Sequence, residues 1–157
     1  IKIGIMPGDV FTPGPVAVLS RSGTLTYESV FRLTRAGIGQ SACVGIGGDP
    51  FVGSSFRDIA KLLLDDPATK ALLVLGEIGG RAEEELGEYL NKKGFDRPLF
   101  GFIAGQTAPP GKRLGHAGAI LEDNAGIEGK LKKMHETGYT VCPDLTSISE
   151  RIGRILA

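Results

Sequence analysis

Two histidines occur in the 157 residues, and their surroundings differ sharply. His116 lies in the stretch Gly105-Gln106-Thr107-Ala108-Pro109-Pro110-Gly111-Lys112-Arg113-Leu114-Gly115-His116-Ala117-Gly118-Ala119-Ile120, where small neighbours leave its ring open to close approach. A neutral imidazole keeps a ring lone pair near pH 7 and is a competent nucleophile toward a phosphoryl group. Its other nitrogen must then be fixed by an acceptor, and Glu77, in Gly76-Glu77-Ile78-Gly79-Gly80, is the candidate. The segment Ser20-Arg21-Ser22-Gly23-Thr24-Leu25-Thr26 supplies the complement, an anion site made of free backbone N–H groups and hydroxyls at a helix start. Each feature also has a plainer explanation. A loop histidine is commonly a polar surface group, Glu77 could cap the helix after it, and Ser or Thr caps helices without any ligand. His135, among Lys132, Lys133 and Glu136, reads as a solvated helix residue with no role.

These residues can cooperate only if the fold brings their loops to one edge. Five short apolar runs, Val16–Leu19, Ala42–Ile46, Ala71–Leu75, Leu99–Ala104 and Thr140–Cys142, are continuous rather than alternating, as strands buried on both faces should be. Helical spacing fills the intervals. Leu25 to Gly37 ends on a glycine stop, and Ser55 with Asp58 forms a capping box before Ile59, Leu62 and Leu63, which are expected to turn inward. Ala82 to Lys93 runs from acidic to basic, in keeping with the helix dipole. Ile127, Leu131 and Met134 make one apolar stripe; Ile148, Ile152 and Ile155 make another, with Ser147 and Glu150 as a second capping box.

The alternation predicts an α/β fold: three layers, doubly wound, with a five-stranded mainly parallel sheet of flavodoxin-like order. Such a sheet binds its ligands in the loops at the carboxyl ends of its strands. The loops after Leu19, Ile46, Leu75 and Ala104 all fall on that edge.

Composition narrows the function classes. Eighteen basic residues balance eighteen acidic ones, so no net field draws in nucleic acid or an anionic membrane. Aromatic content is 6% with no Trp, which leaves few stacking platforms for bases or flavins. The 24 glycines point to several tight loops. Cys43 and Cys142 fit neither a disulfide framework nor a metal pattern and read as buried reduced thiols in a reducing compartment. No apolar segment reaches the ~18 residues of a membrane span. The chain begins at Ile1 without an initiator Met, which suggests a piece of a longer protein.

Two motifs are set aside. Gly105 to Lys112 has five residues between its glycines and Arg113 after the lysine, where a P-loop has four and Ser or Thr. Gly45-Ile46-Gly47-Gly48-Asp49-Pro50 lacks the last glycine of a dinucleotide fingerprint.

Four segments in order, Ser20–Glu28, Gly45–Pro50, Gly76–Gly80 and Gly111–Ile120, closely resemble the α-subunit family of succinyl-CoA synthetase, from about Ile5 to the C-terminus. The resemblance implies a nucleotide-forming succinate–CoA ligase that passes phosphate through a histidine, which by motif position is His116. Glu77 matches the glutamate that contacts the imidazole. Ser22, Gly23 and Thr24 match the helix start that receives the phosphohistidine, and Tyr27 matches a residue near the carboxylate substrate. CoA would be bound mainly by an N-terminal domain not included in this chain, with residues 1–14 a linker from it and 15–157 the phosphohistidine domain. Mg²⁺ and ATP or GTP would sit on a partner β subunit, in the cytoplasm or, in a eukaryote, the mitochondrial matrix. A fragment of this extent is expected to be inactive by itself. Malate–CoA ligase, ADP-forming acetyl-CoA synthetase and ATP-citrate lyase carry related histidine loops and stay open as alternatives. A flavodoxin-like FMN module or a response regulator shares the expected fold. The later loops, however, lack the aromatic rings a flavin wants, and Ser20-Arg21 stands where a regulator has acids.

Overall fold

The apolar runs become strands, buried on both faces in the middle of the sheet and half-buried in the edge strands. In the computed structural model, which describes residues 7–107 and 124–156, these are β1 (Pro13–Ser20), β2 (Gln40–Gly45), β3 (Ala71–Glu77), β4 (Leu99–Ala104) and β5 (Tyr139–Val141). All pair in parallel, in the order β2-β1-β3-β4-β5. This is the doubly wound, flavodoxin-like arrangement expected from the alternation of elements. The central strand, β3, is buried at every residue, which explains why its sequence shows no polar alternation.

The helices α1 (Gly23–Arg35), α2 (Phe56–Leu64), α3 (Ala82–Lys92), α4 (Asn124–Glu136) and α5 (Leu145–Leu156) cover both faces. Val16, Val18, Leu73, Leu75 and Phe100 turn to one side and pack with Val30 and Leu33 of α1 and Ile148 and Ile152 of α5. Ala17, Leu19, Leu72 and Val74 turn to the other and pack with α2, α3 and α4 through Ala60, Leu86, Leu90 and Met134. Alternate residues of one strand thus feed two cores, giving three layers.

Local signals read from the sequence are met at several termini. Gly37 has φ +77° just past α1, and Ser55 and Asp58 complete a reciprocal capping box on α2. Three expectations need correction. Leu62 is 74% exposed, because the inward stripe of α2 is Phe56, Ala60 and Leu63, and Leu62 lies about 100° round the helix from Leu63. α5 starts at Leu145 rather than after Ser147, and the Asp144 carboxylate accepts the Ser147 amide at 2.8 Å, so Asp144 is the cap. Ile155 is half exposed, and Leu156 instead continues the stripe of Ile148 and Ile152 against the core.

β1 and β2 approach unusually closely where they begin: a Cβ on Gly39 would run into the Pro13 carbonyl, and one on Gly14 into the Gly39 backbone. Among the described residues, no helix is long and apolar enough to cross a membrane.

Two outcomes are expected. Gly39→Ala must push β1 and β2 apart and lower stability by roughly 1–3 kcal/mol, read as a lower denaturant midpoint at unchanged m. The capping box gives the second. The Asp58 carboxyl is held at about 2, first by the Ser55 hydroxyl, then by the Ser55 amide and by Lys61. A depressed pKa means that the ionised box contributes above the ordinary value of 3.8 and is lost as pH falls through about 2. Ser55→Ala should therefore move the Asp58 midpoint up toward 3.8 in a carboxyl NMR titration; a midpoint still near 2 contradicts the box.

Candidate functional site

Where the strand order reverses, the loops on either side diverge and leave a crevice. Here the chain steps from β1 outward to β2 and then back across to β3, so the crevice opens between β1 and β3. The register places Ser20 beside Leu75, and the Arg21 amide donates to the Leu75 carbonyl at 2.9 Å. Glu77, two residues further along β3, is therefore a neighbour of the turn that opens α1. On its other side Glu77 pairs with Ala104, the residue from which the long fourth loop departs. His116 lies in that loop but outside the described residues.

The turn into α1 is built from its own hydroxyls. Ser22 is the N-cap, and its hydroxyl accepts the Leu25 amide at 3.4 Å. Its own amide donates to the Ser20 hydroxyl at 3.0 Å, and its carbonyl accepts from the Thr26 hydroxyl at 2.7 Å. Gly23 and Thr24 are exposed, and among the described residues no protein acceptor takes their amides. Two free N–H groups at the positive end of a 13-residue helix form an anion-ready surface. Tyr27, one turn on, leans back toward this end: its hydroxyl lies 3.7 Å from where a Cβ on Gly23 would stand. Ser22, Gly23, Thr24 and Tyr27 thus share one end of one helix. A Cβ on Gly23 would stand in ordinary van der Waals contact with that phenol.

The Glu77 loop is held by a buried ionic cluster. Glu83 of α3 is fully buried, and its carboxylate accepts from Lys130 of α4 at 2.6 Å and from Arg21 at 3.3 Å. It also accepts the Glu77 amide at 3.2 Å. The Lys130 ammonium donates further to the Glu77 and Gly79 carbonyls, each at 3.1 Å, and Arg21 to the Gly79 carbonyl at 3.0 Å. The Tyr139 hydroxyl donates to the Glu83 carbonyl at 2.9 Å. Burial, reinforced by the nearby Glu83 carboxylate, pushes that phenol well above its usual pKa, so it stays a donor. Gly76 has no side chain because the Glu83 carboxylate fills the space a Cβ would need. Gly79 and Gly80 follow with φ of +80° and +65°, turning the chain sharply away from β3 into α3.

Glu77 ends a central strand, nearly buried, and it is Glu83 that reaches back to its amide. In the sequence Glu83 is one of three dipole-complementing acids in a first turn, and nothing adjacent to Lys130 names its partner. A signal for Lys130 exists: it lies three residues after Ile127 on the apolar stripe of α4, where a lysine must find a buried partner. His135 is exposed, as expected. Among the described residues, no group of His, Cys, Asp or Glu could hold a metal ion. A cleft of about 390 Å³ borders the same corner, walled by Arg21, Ile46, Asp49, Phe56 and Gly80, so the Gly45–Pro50 turn also faces this edge.

The CoA-ligase family model matches residues 19–139, from the end of β1 to β5. The chain is 49% identical over 156 residues to the succinate–CoA ligase [ADP-forming] α subunit of Aquifex aeolicus, covering 99% of itself and 51% of that protein. It is 55% identical over 138 residues to the Staphylococcus aureus counterpart, covering 87% of itself and 45% of the relative. The chain therefore spans about half the length of the curated relatives it matches. Among solved structures, the Methanosaeta concilii ATP citrate lyase in complex with (3S)-citryl-CoA superposes with a TM-score of 0.77 at 26% identity, over 93% of this chain and 26% of that one. Sequence and fold agree, and the chain belongs to the CoA-ligase family.

Proposed function

We propose that this chain is the phosphoryl-carrying half of the α subunit of a nucleotide-forming succinate–CoA ligase, with His116 as the carrier. The observation that supports it best is the meeting of three segments at the β1/β3 crevice: the open amides of Gly23 and Thr24, Glu77 at the end of β3, and the departure of the His116 loop beside it. A flavodoxin-like module would want aromatic rings over this crevice, and the only apolar side chain of the 76–80 loop, Ile78, is fully buried in the core.

In this reading succinyl-CoA and phosphate yield succinyl phosphate and free CoA. A ring nitrogen of His116 attacks the phosphorus; the P–N bond forms as the bond to the succinate oxygen breaks, releasing succinate. Glu77 accepts the N–H of the other ring nitrogen and so fixes the tautomer that presents the lone pair. The phosphohistidine, carrying roughly two negative charges by analogy with other phospho side chains, rests at the start of α1, where Ser22, Gly23 and Thr24 supply the cap and the amides. Such helix-end interactions contribute ~0.3–2 kcal/mol, enough to hold a phosphate yet weak enough to release it. The phosphoryl group then passes to a nucleoside diphosphate, and every step is reversible. Tyr27, at the same helix end, lies near the carboxylate substrate.

The remaining components belong elsewhere. CoA binds mainly to an N-terminal domain joined ahead of residue 7, since Val10 and Phe11 already pack on the core and β1 begins at Pro13 rather than after residue 14; ATP or GTP with Mg²⁺ binds on a β subunit. The 49% identity to a succinate–CoA ligase α subunit, against 26% to ATP citrate lyase, supports succinate over citrate. A panel of acids, malate included, tests this with the reconstituted α/β enzyme.

His116→Ala should abolish incorporation of label from γ-labelled nucleoside triphosphate into the α subunit. Persisting label that survived acid would place the phosphate on another residue. Glu77→Gln, which keeps the shape but loses the full acceptor, should slow phosphohistidine formation roughly 10²–10⁴-fold, the range for losing a carboxylate that orients a catalytic imidazole. A rate within twofold of the parent would remove Glu77 from the mechanism.

A further inference from the structure

The buried cluster joins the three segments that the proposed chemistry uses. Arg21 directly precedes the N-cap Ser22 of the phosphate-receiving helix start. Glu77 is gripped through both of its backbone groups, its amide by Glu83 and its carbonyl by Lys130. Lys130 itself belongs to α4, the first described element after the His116 loop. All three meet on one carboxylate with no solvent exposure.

We infer that Lys130, anchored on Glu83, is a positioning residue for the phosphoryl-transfer site, setting the place of Glu77 relative to the helix start and to α4. The inference rests on the role given to Glu77 above. Lys130 touches no reactant; its ammonium bonds the carbonyls of Glu77 and Gly79 and the Glu83 carboxylate and so acts through the backbone that carries Glu77. Two of its three acceptors are backbone carbonyls, one at the end of β3 and one in the turn that follows. Stabilising α4 against α3 would need only the bond to Glu83, so the contacts are those of a clamp on the 77–79 segment. Positional accuracy matters here because a displacement of about 1 Å at a reacting geometry can cost on the order of 10²-fold in rate.

A double-mutant cycle on the full-length subunit assembled with its partner separates this role from a purely structural one. Lys130→Met is the first variant, because its removal leaves Glu83 and Arg21 as a pair matched one to one. Glu83→Gln would instead leave two cations without their carboxylate. The initial rate of phosphohistidine formation from labelled nucleoside triphosphate is measured for the parent, Lys130→Met, Glu77→Gln and the double variant. Lys130→Met should slow the rate about tenfold or more at an unchanged half-saturating nucleotide concentration. In the Glu77→Gln background the same substitution should change it by less than about twofold. An equal loss in both backgrounds, or a parental rate for Lys130→Met, overturns the inference while leaving the role of Glu77 intact. A parental rate for Glu77→Gln overturns both. If Lys130→Met fails to assemble, Lys130→Arg goes through the same cycle. It keeps the charge, but its planar fork cannot reproduce three contacts made from one ammonium, so the same non-additive loss is expected.

Discussion

A carboxylate removed entirely from water must be matched in charge and in hydrogen bonds, and Glu83 is such a group. Its partners come from three separate places: Arg21 at the end of β1, the Glu77 amide at the end of β3, and Lys130 in the middle of α4. None can shift far without leaving a buried charge unpaired, which costs about 3–5 kcal/mol in typical cases. The geometry of the crevice depends on this constraint. Around it the chain has made room: Gly76 yields its Cβ space to the carboxylate, and Gly87, one turn beyond Glu83, yields its own to Thr137 and Tyr139.

The two sides of the crevice are built differently. The β3 side is buried, with its backbone groups bonded to side chains of the cluster. The α1 side exposes Gly23 and Thr24 and keeps its polar bonds local, within Ser20, Ser22 and Thr26. A buried carboxylate-bearing edge thus lies beside two open amides, and in the proposed reading the first orients the imidazole and the second holds its phosphate. The parallel sheet brings the two together, since every strand ends at the same edge and the order reverses between β1 and β3.

Much of the fold was legible in the sequence because it follows from local rules. Continuous apolar runs such as Leu72–Leu75 are too short for a buried helix and fit a strand covered on both faces, and the Ser55–Asp58 box and the Gly37 stop depend only on residues within one turn. The misreadings came where a pattern had more than one solution. Leu62 and Leu63 are equally apolar, and only the sheet they pack on decides which faces inward. Asp144 and Ser147 both cap well, and the bond actually formed is from the Ser147 amide to the Asp144 carboxylate.

For the site, sequence alone determined the chemical types: a histidine among small residues, a glutamate after a buried strand, and hydroxyls and a glycine at a helix start, in an order that resembles one family. Those are properties of short segments, where spacing and composition suffice. Only the tertiary structure decided that Glu77 lies between the α1 turn and the root of the fourth loop, and that Arg21, Glu83 and Lys130 lock it there. The ion pairs of that cluster join residues 62 and 47 positions apart in the chain. A lone Glu in a first turn or a lone Lys on a helix carries no mark of its partner. Their meaning comes from desolvation, which exists only once the three layers have closed around them.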